Sequence, residues 1–138
     1  MIYAFDTNII SYMLKGNEKV QKNFKQEIIE AGNSYVIPPV VIYELWRWLH
    51  DNPTPKLLFF AVEFDALYQN VRNKTKMTAA SWEKAAKIYI TLKQNGELID
   101  DADIFIAAYC IVNDYILVTN NTRHFMRIAD LKHVDWSL

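Results

Sequence analysis

The 138-residue chain is 51% hydrophobic with only three glycines and four prolines, which excludes a disordered segment and suits one folded domain over residues 1–138. A net charge of −1 excludes a polyanion binder held by bulk charge, so affinity for nucleic acid would have to come from a local basic rim, a metal or a partner. One cysteine, Cys110, excludes an internal disulfide and a cysteine-based zinc site, and fits a buried thiol in a reducing compartment.

In chain order, Ile2 to Phe5 reads as a short buried strand closed by Asp6-Thr7-Asn8, where Thr7 or Asn8 is expected to cap the following helix, Ile9 to Lys15. Gly16-Asn17 ends that helix. A second runs from Glu18 to Ala31, with Val20, Phe24 and Ile28, and also Glu27 and Ile29, facing in. Tyr35 to Ile37 is a strand, and Pro39 opens a helix bearing Glu44 among Tyr43, Leu45 and Trp46. Lys56 to Val71 is a further helix, followed by a basic loop, Arg72 to Lys76. Thr78 or Ser81 caps a helix to Lys93 whose expected inner face is Trp82, Ala85, Ala86, Tyr89 and Leu92.

Ile99 to Ala108 then sets three carboxylates, Asp100, Asp101 and Asp103, at the mouth of an almost wholly apolar helix. Tyr115 to Thr119 is a strand, Arg123 to Ile128 a helical turn, and His133 to Trp136 an edge strand. Short, continuously apolar strands separated by helices indicate a parallel sheet covered on both faces. No apolar run approaches the roughly 20 residues of a membrane span, and no leader is visible. The expectation is a cytoplasmic protein without membrane contact.

Active sites of open parallel sheets form outside the carboxyl ends of the strands. Asp6 and Thr119 stand there, Glu44 follows soon after the second strand, and Asp100 and Asp103 share one face of a first turn. Buried charge without a partner is costly, so Glu44 and Asp103 ask for a cation. Carboxylate and amide oxygens suit Mg²⁺ or Mn²⁺ rather than zinc. Asp6 and Asp101 also read as helix-terminus acids, and for Asp101 that reading is preferred. No histidine, cysteine or serine stands where it would obviously substitute.

Asp6-Thr7-Asn8, the helix bearing Glu44, Asp103 to Ala108, and Leu117-Val118-Thr119-Asn120-Asn121 with Phe125 and Trp136 resemble a PIN-domain ribonuclease of the VapC toxin type. The resemblance implies a three-layer α/β/α sandwich with a short, mostly parallel central sheet. It implies a Mg²⁺- or Mn²⁺-dependent endoribonuclease that forms a homodimer and is neutralised by a cognate antitoxin. It carries Asp6, Glu44 and Asp103 over as metal-holding catalytic acids, Asp100 as an accessory acid, and Thr119 and Asn121 as a polar pair. Thr7 and Asn8 join that pair in orienting ligands. Many relatives have Asp where Asn121 stands, so one metal is expected here. The chemistry expected is hydrolysis, with water attacking the phosphorus of RNA. Lys15, Arg72, Lys74, Lys76, Arg123 and Arg127 are candidate phosphate contacts. A response-regulator module would want a lysine after the late strand, and an aspartyl phosphohydrolase an Asp at position 8; neither is present. A non-catalytic RNA-binding or scaffold protein of the same fold is the rival reading.

Overall fold

β1 (Ile2–Phe5) lies inside a four-stranded, all-parallel sheet of order β2-β1-β3-β4. The computed structural model describes residues 1–138. β1 leads through α1 (Thr7–Leu14), α2 (Glu18–Phe24) and a widened π-helical turn at Lys25–Glu30 to β2 (Ser34–Val36). From there α3 (Pro39–His50), α4 (Pro55–Gln69), α5 (Ala79–Gln94) and α6 (Asp101–Asn113) carry the chain to β3 (Ile116–Val118), on the other side of β1. The short α7 (Thr122–Phe125) leads to the edge strand β4 (His133–Val134).

Neighbouring residues of one strand point to opposite faces. Ala4, Phe5, Leu117 and Val118 are all fully buried, so both faces of the sheet are covered and the core is continuous across it. Each large apolar side chain buried there contributes about 1.5–3 kcal/mol.

Two details differ from the sequence expectation, and two sharpen it. Of the three capping candidates, Asp6 caps α1 and Thr7 and Asn8 do not, because the Asp6 carboxylate accepts from the Thr7 N–H. The helix from Glu18 is not uniform: its last turn widens, leaving Glu27 half-buried and Ile29 exposed. The inner face of α5 is Ser81, Ala85, Ile88 and Leu92, whereas Trp82 is 51% exposed and Tyr89 and Ala86 also face outward. Small residues let α5 lie close against α6, and the bulky rings are turned to the surface. The aromatic residues of α4 divide between the two roles open to them: Phe60 and Phe64 are core, and Phe59 is 62% exposed.

Candidate active site

The crossovers from β1 and β3 leave to opposite sides, so the gap beyond their carboxyl ends is the place where a parallel sheet opens a cleft. Register sets what enters it. Phe5 pairs with Val118, so the next residues out are Asp6 and Thr119. The Asp6 N–H donates to the Val118 carbonyl at 3.0 Å. The Thr119 hydroxyl donates to Asp6 Oδ2 at 2.7 Å and accepts from the Asn121 N–H at 2.9 Å. Asp6 Oδ1 accepts from the Thr7 N–H at 2.8 Å. Both oxygens of Asp6 are therefore fixed.

Two further acids close on this point from separate helices. Glu44, in the second turn of α3, accepts from the Thr7 hydroxyl at 2.8 Å. Asp103, in the first turn of α6, lies 3.0 Å from His124 Nδ1 through Oδ2, and the Asn121 amide is 3.5 Å from the same oxygen, at the limit of a hydrogen bond. The α5–α6 hairpin thus delivers the start of α6 to the carboxyl edge of the sheet.

Asp6 is only 5% exposed. Burial is the main cause that pushes its carboxyl up to about 6; the charges of Asp103 and Glu44 push the same way, and the hydrogen bonds from Thr119 and Thr7 oppose them. No lysine or arginine forms an ion pair with Asp6, Glu44 or Asp103. Each of the three keeps oxygen lone pairs free for a hard cation, and no softer ligand competes beside Asp6 and Glu44. As the side chains stand, no group of three or more acids, histidines and cysteines is arranged to hold a metal ion. A hard cation such as Mg²⁺ takes only one or two carboxylates directly and keeps its waters, so it does not require such a group.

The remaining sequence candidates divide. Asn8 is exposed and donates to Asn120 Oδ1 at 3.2 Å, and Asn120 in turn donates to the Tyr12 hydroxyl. Asp100 is the exposed residue preceding α6; its side chain makes no capping bond, and it is not among the charges acting on Asp6. Asp101 is an exposed first-turn acid, as expected. Of the basic candidates, Lys15 packs over the Trp48 ring, Arg72 donates to Gln69, and Arg127 is committed to the Glu97 and Leu98 carbonyls. Lys74, Lys76 and Arg123 are exposed and outside every ion pair. The Tyr109 hydroxyl pins the loop through the Lys74 carbonyl at 2.6 Å. Cys110 is fully buried, and burial holds its thiol far above the usual range, so it is inert.

His124 is the residue that sequence reasoning missed. No histidine is expected to substitute for the acids, and His124 does not; it touches one of them, Asp103, at 3.0 Å. Its spacing of three from Asn121 puts both on one side of a single helical turn, which is the one signal available.

A PIN domain family model matches residues 3–131. A protein named ribonuclease VapC1, from Haemophilus influenzae (strain R2866), is 28% identical over 137 residues, covering 99% of each chain. The solved structure of VapBC2 from Rickettsia felis bound to a promoter DNA fragment superposes with a TM-score of 0.81 at 26% identity, over 99% of each chain. VapBC-1 from nontypeable Haemophilus influenzae gives 0.82 at 26% identity, over 100% of each chain.

Proposed function

Because the chain belongs to the PIN domain family, we propose that it is a Mg²⁺- or Mn²⁺-dependent endoribonuclease, the toxin of a toxin–antitoxin pair. The observation that carries this reading is the gathering of Asp6, Glu44 and Asp103 beyond the carboxyl ends of β1 and β3, without a lysine or arginine to neutralise them. The ribonuclease names of full-length relatives support the same reaction class.

Asp6, Glu44 and Asp103 would hold one divalent ion, which when bound supplies a Lewis acid for the phosphate and a polarised water. Thr119 and the Thr7 N–H fix the two oxygens of Asp6, and the Thr7 hydroxyl fixes Glu44, so the carboxylates are aimed before substrate arrives. Asp100, exposed one turn before Asp103, is the carboxylate free to take the proton from the attacking water. The new P–O bond forms to that water, and the bond to the leaving ribose oxygen breaks. Asn8 and the Asn121 amide lie at the rim as donors for phosphate oxygens. Lys74, Lys76 and Arg123 are the basic side chains available for flanking phosphates; Lys15, Arg72 and Arg127 would contribute after leaving the contacts they make now.

The same reading gives the chain a cognate antitoxin and a second copy of itself as partners. VapBC complexes among the structural relatives support the antitoxin. The exposed apolar side chains Leu58, Phe59 and Val62 of α4 support a protein partner. No helix is long and apolar enough to cross a membrane, and the inert thiol of Cys110 supports the cytoplasm as the place of action.

The test is cleavage of a transfer RNA pool by the purified protein with Mn²⁺ or Mg²⁺, with chelator, and with Asp6→Asn alongside. Cleavage that needs the ion and disappears in the variant is the expected result. An active Asp6→Asn protein overturns the assignment, and an absence of both cleavage and metal binding, with RNA still bound, returns the non-catalytic reading.

A further inference from the structure

One nitrogen base reaches the acid cluster, and its geometry is specific. His124 Nδ1 lies 3.0 Å from Asp103 Oδ2 and 2.9 Å from the terminal amide of Asn121. A carboxylate oxygen at 3.0 Å from a ring nitrogen requires a hydrogen between them, so Nδ1 is the protonated nitrogen. The same Asn121 amide nitrogen lies 3.5 Å from Asp103 Oδ2, at the limit of a hydrogen bond. The Nδ1–H is directed to Asp103 Oδ2, and Nε2 makes no hydrogen bond within the protein. The His124 side chain is 34% exposed and that of Asp103 17%. His124 is held by the turn that begins at Asn121, which Thr119 anchors through the Asn121 N–H.

We infer that His124 is a positioning residue: its Nδ1–H clamps Oδ2 of Asp103 and leaves Oδ1 as the oxygen turned to the cation. The inference rests on the metal-site reading above and adds a residue to it. One chain of hydrogen bonds then runs from Asp6 through Thr119 and the Asn121 N–H to the turn that carries His124, and on to Asp103. Two acids from sequence positions 97 residues apart are thereby set in a fixed relation through α7, with no direct bond between them. Partners of this kind typically change metal affinity by about 10- to 100-fold when removed.

The experiment is a calorimetric Mn²⁺ titration of the RNA-free protein, comparing wild type with His124→Leu, His124→Asn, His124→Gln and Asp103→Asn. The Asn side chain places an N–H where Nδ1 stands; Gln places it one bond too far. His124→Leu and His124→Gln are expected to weaken Mn²⁺ binding about 10-fold or more, and His124→Asn to return to within about threefold of wild type. In cleavage assays the Leu variant should need correspondingly more Mn²⁺ for half-maximal rate. At saturating Mn²⁺ its kcat should recover. Wild-type affinity in both Leu and Gln variants, with Asp103→Asn defective, overturns the positioning role and leaves the acid site standing. No Mn²⁺ binding by the wild type overturns the site reading, and this inference with it.

Discussion

The two ends of β1 each carry a part-buried acid cluster or acid, and they are built differently. At the amino edge, Glu27 stands alone. The Tyr3 hydroxyl and the Asn33 amide both donate to its Oε2, at 3.2 and 3.1 Å, and the N-terminal amine binds Asn33. At the carboxyl edge three acids meet, their hydrogen bonds come from neutral hydroxyl, amide and backbone donors or from His124, and Asp6 is held protonatable near neutrality. One buried acid with dedicated donors is a sufficient structural device. Three with no cation destabilise the fold, and such a cluster makes sense when a positive ligand binds there.

The largest effect that separates the two ends is on cleavage. Asp6→Asn or Asp103→Asn is expected to lower the RNA cleavage rate by at least about 100-fold, measured at saturating Mn²⁺, while in chelator at pH 7 Asp6→Asn melts at or above the wild-type temperature. An Asp6→Asn protein that unfolds at ordinary temperature would make Asp6 a structural acid like Glu27.

Next comes the pH dependence of stability. The folded-state value for Asp6 lies above its unfolded value, near 3.8, so the native state holds the proton more tightly. The stabilisation is complete below pH 4 and is lost as pH rises through about 6. Its size is on the order of 3 kcal/mol. Urea unfolding in chelator at pH 4.5 and 7 should show the contribution in wild type and its loss in Asp6→Asn.

Thr119→Val is a smaller change. It removes the hydroxyl that donates to Asp6 and accepts from Asn121 at almost constant volume. Loss of about 1–2 kcal/mol is expected from chemical denaturation, with roughly tenfold slower cleavage. Glu27→Gln should be the mildest, within about 1 kcal/mol in stability and without effect on cleavage. A large cleavage defect there would erase the distinction between the two ends.

Much of this site was legible because it lies at boundaries. Asp6 and Thr119 each follow an apolar strand, and parallel pairing puts strand ends on one edge. Glu44 and Asp103 stood out as charges in apolar surroundings. The hairpin that brings α6 to that edge has no sequence signature, so convergence needed the structure. His124 lies 21 residues from Asp103, and only the placement of α7 joins them. On the face of α5, Ala85 and Leu92 face in as expected, but hydrophobic size favoured Trp82 and Tyr89 where the fold buries Ser81 and Ile88.

The most direct test of the contrast is the melting temperature at pH 7 with and without Mn²⁺, in wild type, Asp6→Asn and Glu27→Gln. Mn²⁺ at about 100 times its dissociation constant should raise wild type and Glu27→Gln by roughly 5–10 °C and leave Asp6→Asn nearly unmoved. An equal rise in Asp6→Asn, or none in wild type, would contradict a cation site at the carboxyl edge.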